Sequence, residues 1–119
     1  MEQATDSGTE VVIVLTTVGS EEAAVALVSA FLERRLVACG TVLPGARSLY
    51  RWQGRVADER EAVVLLKTVR ERVPALRAAF GELHPYEVPE LLAVPVAAGL
   101  PAYLGWVAAE SAPGPAAEP

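Results

Sequence analysis

The stretch that decides the fold is residues 48–56, which read Ser-Leu-Tyr-Arg-Trp-Gln-Gly-Arg-Val. Its alternating pattern is typical of a β-strand in which Tyr50 and Trp52 share one face. Gly54 suits the positive φ of a tight turn, so the strand is predicted to reverse into a hairpin. A two-stranded ribbon that exposes aromatic side chains is only marginally stable alone in water. We therefore predict that this ribbon docks on another subunit.

Strand signals lead into and out of the ribbon. An apolar run begins at Ala38 and is interrupted by Pro44 and Gly45 before it continues into the ribbon. Such an interruption is typical of a bulge or bend near a sheet edge. The return strand is predicted over residues 58–68, charged at its outer end and apolar across residues 62–66.

The remainder of the chain alternates between strand and helix signals. A β-branched run over residues 10–17 predicts a central strand, and Ser20 is expected to cap the helix that follows. A second helix is predicted over residues 70–83 and a fourth strand over residues 91–96. A short final helix opens at Pro101.

The order βαββαβ plus a terminal helix predicts a ferredoxin-like α+β sandwich, an antiparallel sheet with helices on one face. Strands two and four would be the edges of this sheet. Strand two is long and aromatic, and closed symmetric assembly is the commonest way to protect such an edge. The domain is expected to span residues 10–111, with disordered tails at residues 1–9 and 112–119.

Composition narrows the classes of function. The 119-residue chain carries a net charge of −5 and scattered arginines, which argues against nucleic-acid binding through phosphates. Apolar runs are too short for a membrane helix, and the first residues lack a secretory pattern, so we expect a cytoplasmic protein without membrane attachment. The single cysteine, Cys39, excludes an internal disulfide and is expected to be inert packing.

Three motifs in order resemble one known family. Residues 39–54 read Cys-Gly-Thr-Val-Leu-Pro-Gly-Ala-Arg-Ser-Leu-Tyr-Arg-Trp-Gln-Gly, and residues 66–68 read Leu-Lys-Thr. Residues 84–96 read His-Pro-Tyr-Glu-Val-Pro-Glu-Leu-Leu-Ala-Val-Pro-Val. Together, over about residues 10–110, the chain resembles the CutA divalent-cation tolerance family.

The resemblance implies a cytoplasmic homotrimer of ferredoxin-like subunits whose sheets are joined by the long hairpins. It also implies a link to divalent metal tolerance, copper in particular, and a trimer shaped like the PII signalling proteins. No catalytic activity accompanies the family. The sequence itself offers no phosphate-binding glycine loop and no serine–histidine–acid order, so an enzyme is not expected.

The resemblance also points to a copper site, which is incomplete in this chain. Family members with copper ligands carry a cysteine in strand one and two adjacent histidines before the Pro-Tyr pair. Thr16 and Leu83 stand at two of these positions, which leaves His84 as the one candidate metal ligand. A single imidazole makes a poor copper or zinc site. The alternative is a loop histidine that satisfies backbone groups at a helix end.

Lys67, Tyr86 and Glu90 suggest a different function. An alternating strand would set Lys67 partly inside, where its ammonium needs a carboxylate such as Glu90 or Glu61. This set could be a structural ion pair at a subunit boundary or the polar anchor of an inter-subunit cleft. The second interpretation gives the alternative function, a PII-like signalling or scaffold trimer that binds a small anionic ligand or nucleotide.

The aromatic residues also have two interpretations. Tyr50 and Trp52 are predicted to anchor the trimer interface, the usual role of large aromatics in obligate contacts. Together with Tyr86 they could instead floor a small-molecule pocket, and pockets often form between subunits. Residues 59–61, Glu-Arg-Glu, are expected to be only the solvated base of the ribbon.

Overall fold

Four strands and three helices follow one another along the chain in the computed structural model, which describes residues 10–114. The elements are β1 (Val11–Val18), α1 (Glu21–Glu33), β2 (Cys39–Trp52), β3 (Arg55–Val69), α2 (Val73–Leu83), β4 (Leu92–Pro95) and α3 (Pro101–Ser111). The predicted tail at residues 1–9 and residues 115–119 of the second predicted tail lie outside the described residues. Within residues 10–114, no helix has both the length and the apolar character needed to cross a membrane.

The strands form one antiparallel sheet in the order β2-β3-β1-β4. The predicted α+β ferredoxin-like order is confirmed, and β2 and β4 are its two edges as expected. Pro95 lies on edge strand β4 and pairs with Val12 of β1. Proline has no N–H to donate, and an edge strand tolerates this because it forms backbone hydrogen bonds on one side only.

Local chemistry sets the helix ends. The Ser20 hydroxyl accepts a hydrogen bond from the backbone N–H of Ala23 at 3.1 Å, so the predicted N-cap of α1 is confirmed. The second helix is shorter than predicted because Arg70–Arg72 form a separate 3-10 turn. Its α-helical part begins at Val73, with Pro74 in the first turn, where the missing N–H would have no partner anyway.

Helices α1 and α2 cover one face of the sheet and enclose the main core. On β1 and β3 the core residues have even numbers, and they pack against apolar residues such as Phe31 and Leu76. Helix α3 covers one end of the opposite face through Val107, which is fully buried. The rest of that opposite face is only half-buried, and we call it the open face. Its apolar side chains on β1 and β3 are Ile13, Leu15, Val63 and Leu65.

Beyond the core, β2 and β3 continue as a two-stranded ribbon, Ala46–Trp52 paired with Arg55–Glu61. Gln53 and Gly54 turn the chain with φ of 53° and 79°, so both turn residues, rather than the glycine alone, are left-handed. Two positive φ values in a two-residue loop match the twist of a hairpin. Trp52 at the tip is 46% exposed, so its own chain covers only half of it.

A β-bulge separates the ribbon from the inner part of β2. The register shifts between Leu43 and Ala46, where Gly45 has a φ of 74°. The extra residue inverts the alternation of β2. Val42 packs toward the helices, whereas the even-numbered Ser48 of the ribbon pairs with Glu59 on the open face. The bulge that Pro44 and Gly45 predicted is therefore present, and it decides which way the ribbon's aromatic side chains face.

Candidate functional site

A cavity of about 630 Å³ lies on the open face between the base of the ribbon and the loop after α2. Its aromatic lining consists of Tyr50 and Trp52 from β2 and Tyr86 from the loop. The size falls in the range of small-molecule sites, which span roughly 300–1,000 Å³. The sequence-predicted aromatic set is therefore brought to one place within a single chain.

Four carboxylates line the same cavity. Glu59 and Glu61 come from β3, and Glu87 and Glu90 come from the loop. Within the described residues 10–114, the cavity lining contains no lysine, arginine or histidine. The cavity is therefore aromatic and strongly acidic.

Glu61 is the most buried of these acids, with only 6% of its surface exposed. It accepts a hydrogen bond from the hydroxyl of Tyr86. No lysine or arginine in the described part of the chain forms an ion pair with it. The prediction that residues 59–61 are merely a solvated charge run is wrong for Glu61, because the 84–90 loop folds over it.

The pKa values of two tyrosines reflect burial and the negative charge of this cavity. Burial raises the pKa of Tyr86, and the hydrogen bond to Glu61 raises it further. Loss of solvation raises the pKa of Tyr50 as well, with smaller contributions from the charges of Glu59 and Glu61. Both phenols are therefore held neutral. Tyr86 donates a hydrogen bond to Glu61, and both rings form aromatic walls of the cavity.

His84 lies behind Tyr86 on the helix side and is only 7% exposed. Its Nδ1 accepts a hydrogen bond from the Tyr86 backbone N–H at 3.2 Å. Its Nε2 therefore carries the proton and donates to the Thr17 carbonyl at 3.0 Å, with the Thr16 hydroxyl 3.3 Å away. The ring also stacks on Phe80, with 5.5 Å between centroids.

This arrangement does not fit a copper site. Both nitrogens of His84 are used inside the chain, and burial lowers the pKa of the imidazole. Thr16 and Leu83 supply no thiolate or imidazole at the other two positions. No cluster of three or more histidine, cysteine, aspartate or glutamate side chains suited to a metal ion occurs among residues 10–114. These residues match the alternative prediction of a loop histidine that satisfies backbone groups.

Within a single chain Lys67 is not brought to the cavity, so the cleft of Lys67, Tyr86 and Glu90 between subunits stays a prediction. Its ammonium donates to the Thr41 hydroxyl at 2.8 Å, not to Glu90 or Glu61. Lys67 pairs with Ile13 on β1, four residues from the Thr17 that lines the cavity. Four residues along a strand span about 13 Å. Lys67 therefore lies on the predicted face of the sheet, at the end away from the cavity of its own chain.

Cys39 lies at that other end, under α3. Its Sγ is 3.7 Å from the hydroxyl of Tyr103, and this contact raises the pKa of Tyr103. Cys39 pairs with Lys67 across the β2–β3 ladder and is half-buried. It is therefore remote from His84 and from the acidic cavity.

Glu59 was missed as a cavity residue although a signal for it existed. A two-residue turn at Gln53 and Gly54 fixes the hairpin register, which places Glu59 opposite Ser48. Ser48 shares its face with Tyr50, so the register alone puts Glu59 beside the aromatic side chains. The involvement of Glu87 carried no such signal, because it depends on the path of an irregular loop.

Comparisons with known proteins agree with this fold. The family model described as CutA1 divalent ion tolerance protein matches residues 12–110. The divalent-cation tolerance protein CutA of Thermus thermophilus is 45% identical over 95 residues, covering 80% of this chain and 92% of the relative. Its solved structure superposes with a TM-score of 0.81 at 43% identity, covering 84% of this chain and 97% of that one.

Two further solved structures are similar. CutA from Xylella fastidiosa superposes with a TM-score of 0.83 at 39% identity, covering 87% of this chain and 99% of that one. The protein from Archaeoglobus fulgidus, described as a periplasmic divalent cation tolerance protein CutA, gives 0.82 at 26% identity, with 86% and 99% covered. The similarity extends over the core, the ribbon and the loop that carries Tyr86.

Proposed function

The chain belongs to the CutA1 divalent ion tolerance family, and from that premise we propose that it acts in divalent-cation tolerance as a non-catalytic homotrimer. The observation that supports this proposal best is the ribbon, which extends an edge strand beyond its own core. Leu49, Tyr50, Trp52 and Val56 along it are each more than 40% exposed. A protruding ribbon with exposed apolar side chains on both of its faces is typical of a contact surface.

Assembly through the ribbon explains this surface. Edge strand β2 offers unpaired backbone groups, and no element among residues 10–114 covers the half-buried apolar side chains of the open face, such as Leu15 and Leu65. Sister chains arranged around a threefold axis would cover both features at once. Tyr50 and Trp52 are the anchors we assign to that interface.

The non-catalytic part of the proposal rests on the state of His84. The only histidine of the chain is bonded through both nitrogens, and its lowered pKa keeps it neutral. It is therefore unsuited to transferring protons to a substrate. Ser48 and Thr17 also line the cavity, but among residues 10–114 neither hydroxyl is hydrogen-bonded to a carboxylate that could act as its base.

Copper binding at His84 stays a prediction from the sequence, and the geometry sets its condition. The imidazole must give up its bond to Thr17 or to Tyr86 before a nitrogen can reach a metal. We therefore propose weak binding at most. Calorimetric titration with Cu(II) checks this: binding weaker than micromolar is expected, unchanged in His84→Ala. Tight binding that His84→Ala abolishes would restore His84 as a ligand.

Growth under metal stress tests the function itself. Cells that lack their own family member are grown in graded Cu(II) and Zn(II) with this chain or with an empty vector. We expect the chain to restore growth and Trp52→Ala to restore it less, because assembly is weakened. Equal growth with chain and vector at every concentration would contradict the proposal. Fractionation of the same cells tests the predicted cytoplasmic location.

A PII-like ligand-binding trimer remains the second candidate, favoured by the cavity between the ribbon and the loop. Its ligand was predicted to be a small anion or nucleotide. Four glutamates without a lysine or arginine in the described lining repel such a ligand. The cavity therefore supports a ligand role with the opposite charge.

A further inference from the structure

We propose that the cavity at the base of the ribbon binds an organic cation, an ammonium group on a compact apolar body. The inference goes beyond divalent-cation tolerance and does not depend on it. Because pockets often form between subunits, the aromatic side chains that anchor the proposed trimer can also line this cavity. Three aromatic side chains and four carboxylates converge on one cavity of about 630 Å³. Aromatic faces combined with negative charge are the usual means of recognising quaternary ammonium groups.

Glu61 supplies the strongest argument. A carboxylate that is only 6% exposed requires compensation, and its bonded partner is the neutral phenol of Tyr86. Glu59, two residues away on the same face of β3, adds a second charge without adding a cation. A bound ammonium group would neutralise a charge that residues 10–114 leave without an ion pair.

At its base, the ribbon places Arg47 and Arg60 on one face and Glu59 and Glu61 on the other. Arg47 forms an ion pair with Asp58 at 2.8 Å on the face turned away from the cavity. Arg60 pairs with Arg47 in the register and so shares that outer face. The acidic residues Glu59 and Glu61 occupy the cavity side. Arg55, at the ribbon tip, shares the cavity face but does not line the cavity, so within residues 10–114 the charged residues of the lining are all acidic.

An organic cation fits better than a metal ion. The carboxylates do not form a group of three or more ligands around one point within residues 10–114. Metal sites need several oxygen atoms at about 2–2.6 Å from a single ion. Spread carboxylates and the aromatic rings of Tyr50, Trp52 and Tyr86 instead suit a larger cation with diffuse charge and an apolar surface.

Choline and its neutral carbon isostere, 3,3-dimethyl-1-butanol, make a matched pair of probes. The two share a shape and a hydroxyl and differ in the charge on the head group. Trp106→Phe in the full chain leaves Trp52 as the only tryptophan, so fluorescence reports on the cavity wall. We expect saturable, millimolar choline binding and no saturation with the isostere over the same range. Equal responses to both probes would overturn the proposal.

Charge variants locate the site. Glu61→Gln keeps an acceptor for Tyr86 and should weaken choline binding about tenfold, which corresponds to about 1.4 kcal/mol. Glu22→Gln makes the same charge change on exposed α1, across the sheet, and should leave the affinity within about twofold, as expected for a screened distant charge. Equal weakening by both variants would reduce the effect to net charge and overturn the assignment.

A second cavity variant covers the case in which Glu61→Gln fails to fold. Glu90→Gln changes a half-buried loop residue and is expected to weaken choline binding in the same direction. The proposal is overturned if neither cavity variant changes the affinity for choline. It is also overturned if the native protein does not bind choline, as would follow if a sister chain filled the cavity. If the protein protects cells from copper but does not bind choline, only this inference is contradicted. A chain that binds choline without affecting copper tolerance contradicts only the proposed function.

Discussion

The β2–β3 ladder has two halves that share backbone pairing but differ in what covers their side chains. In the inner half, Val64 and Leu66 are fully buried beneath α1 and α2. In the outer half, Leu49 and Val56 are 63% and 65% exposed. The same hairpin therefore has an inner half whose side chains are buried within the subunit and an outer half whose side chains are largely exposed.

The difference between the halves shows where stability and function are each located. Burial of a large aliphatic side chain contributes about 1.5–3 kcal/mol, so the inner half holds the subunit together. The outer half gains little from its own chain, and its aromatic and acidic side chains remain available to other molecules. Four changes, taken from the largest expected effect to the smallest, test this division.

Truncation in the inner half should cause the largest loss. Leu66→Ala removes a fully buried side chain and is expected to lower the free energy of unfolding by about 2–5 kcal/mol. Leu49→Ala in the exposed half should change it by less than about 0.5 kcal/mol in the dissociated chain. Urea unfolding at low protein concentration measures both. Comparable losses would show that the ribbon belongs to the same cooperative core.

Truncation at the ribbon tip should affect assembly rather than the subunit. Trp52→Ala is expected to weaken the proposed trimer by about 2 kcal/mol or more per site, the size typical of an aromatic hot spot. Trp106→Ala, on α3 with a similar 44% exposure, is the matched control. Size-exclusion chromatography with light scattering is the measurement. A native chain that is monomeric at micromolar concentration would contradict the interface.

Acidification should lower the stability of the fold through His84. The pKa of His84 is lowered by burial, against smaller opposing contributions from its bond to Thr17 and the charge of Glu61. The unfolded chain therefore takes up a proton below about pH 6.5 while the folded chain does not. Stability is complete above that pH and falls toward the folded pKa, by at most about 1.4 kcal/mol per pH unit.

His84→Gln removes this titration and keeps a side chain that can form hydrogen bonds. Thermal unfolding between pH 5 and 7.5 should lose much of its slope in the variant. The exposed pair Arg47–Asp58 supplies a control, since Asp58→Asn should leave that slope in place. An unchanged slope in His84→Gln would show that the imidazole stays protonated on folding.

The smallest effect is expected at the turn. Gln53 has a φ of 53°, a conformation that asparagine tolerates better than glutamine. Gln53→Asn should stabilise the hairpin by a few tenths of a kcal/mol, up to about 1 kcal/mol. The change should raise the stability of the assembled protein and leave the dissociated subunit almost unaltered. Equal gains in both would show that the ribbon tip is folded independently of assembly.

Sequence reasoning captured the features that depend on local chemistry. The N-cap at Ser20, the interruption at Pro44 and Gly45 and the two edge strands are all present in the structure. These features follow from hydrogen bonding, φ preferences and alternation, each of which acts over a few residues. The family resemblance is also confirmed by the comparisons.

The cavity was harder to predict because it combines distant segments. Glu61 and Tyr86 are 25 residues apart, and nothing near Glu61 in the sequence marks it as buried. Lys67 lies on the predicted face of the sheet, but alternation gives no position along a strand, and the register places it beside Cys39, away from the cavity of its own chain. Periodicity fixes which side a residue faces, whereas only the tertiary path fixes its neighbours.

The bulge at Leu43–Ala46 makes the face on which the aromatic side chains lie depend on one extra residue in β2. Because strand residues alternate sides, a β2 without Gly45 that kept its inner pairing would shift its outer part by one residue along β3, against the register that the turn at Gln53 and Gly54 favours. Tyr50 and Trp52 would then face the outer side, and Arg51 would turn toward the acidic wall. Insertions and deletions at this bulge can therefore change which face of the ribbon carries the aromatic side chains while the core remains intact.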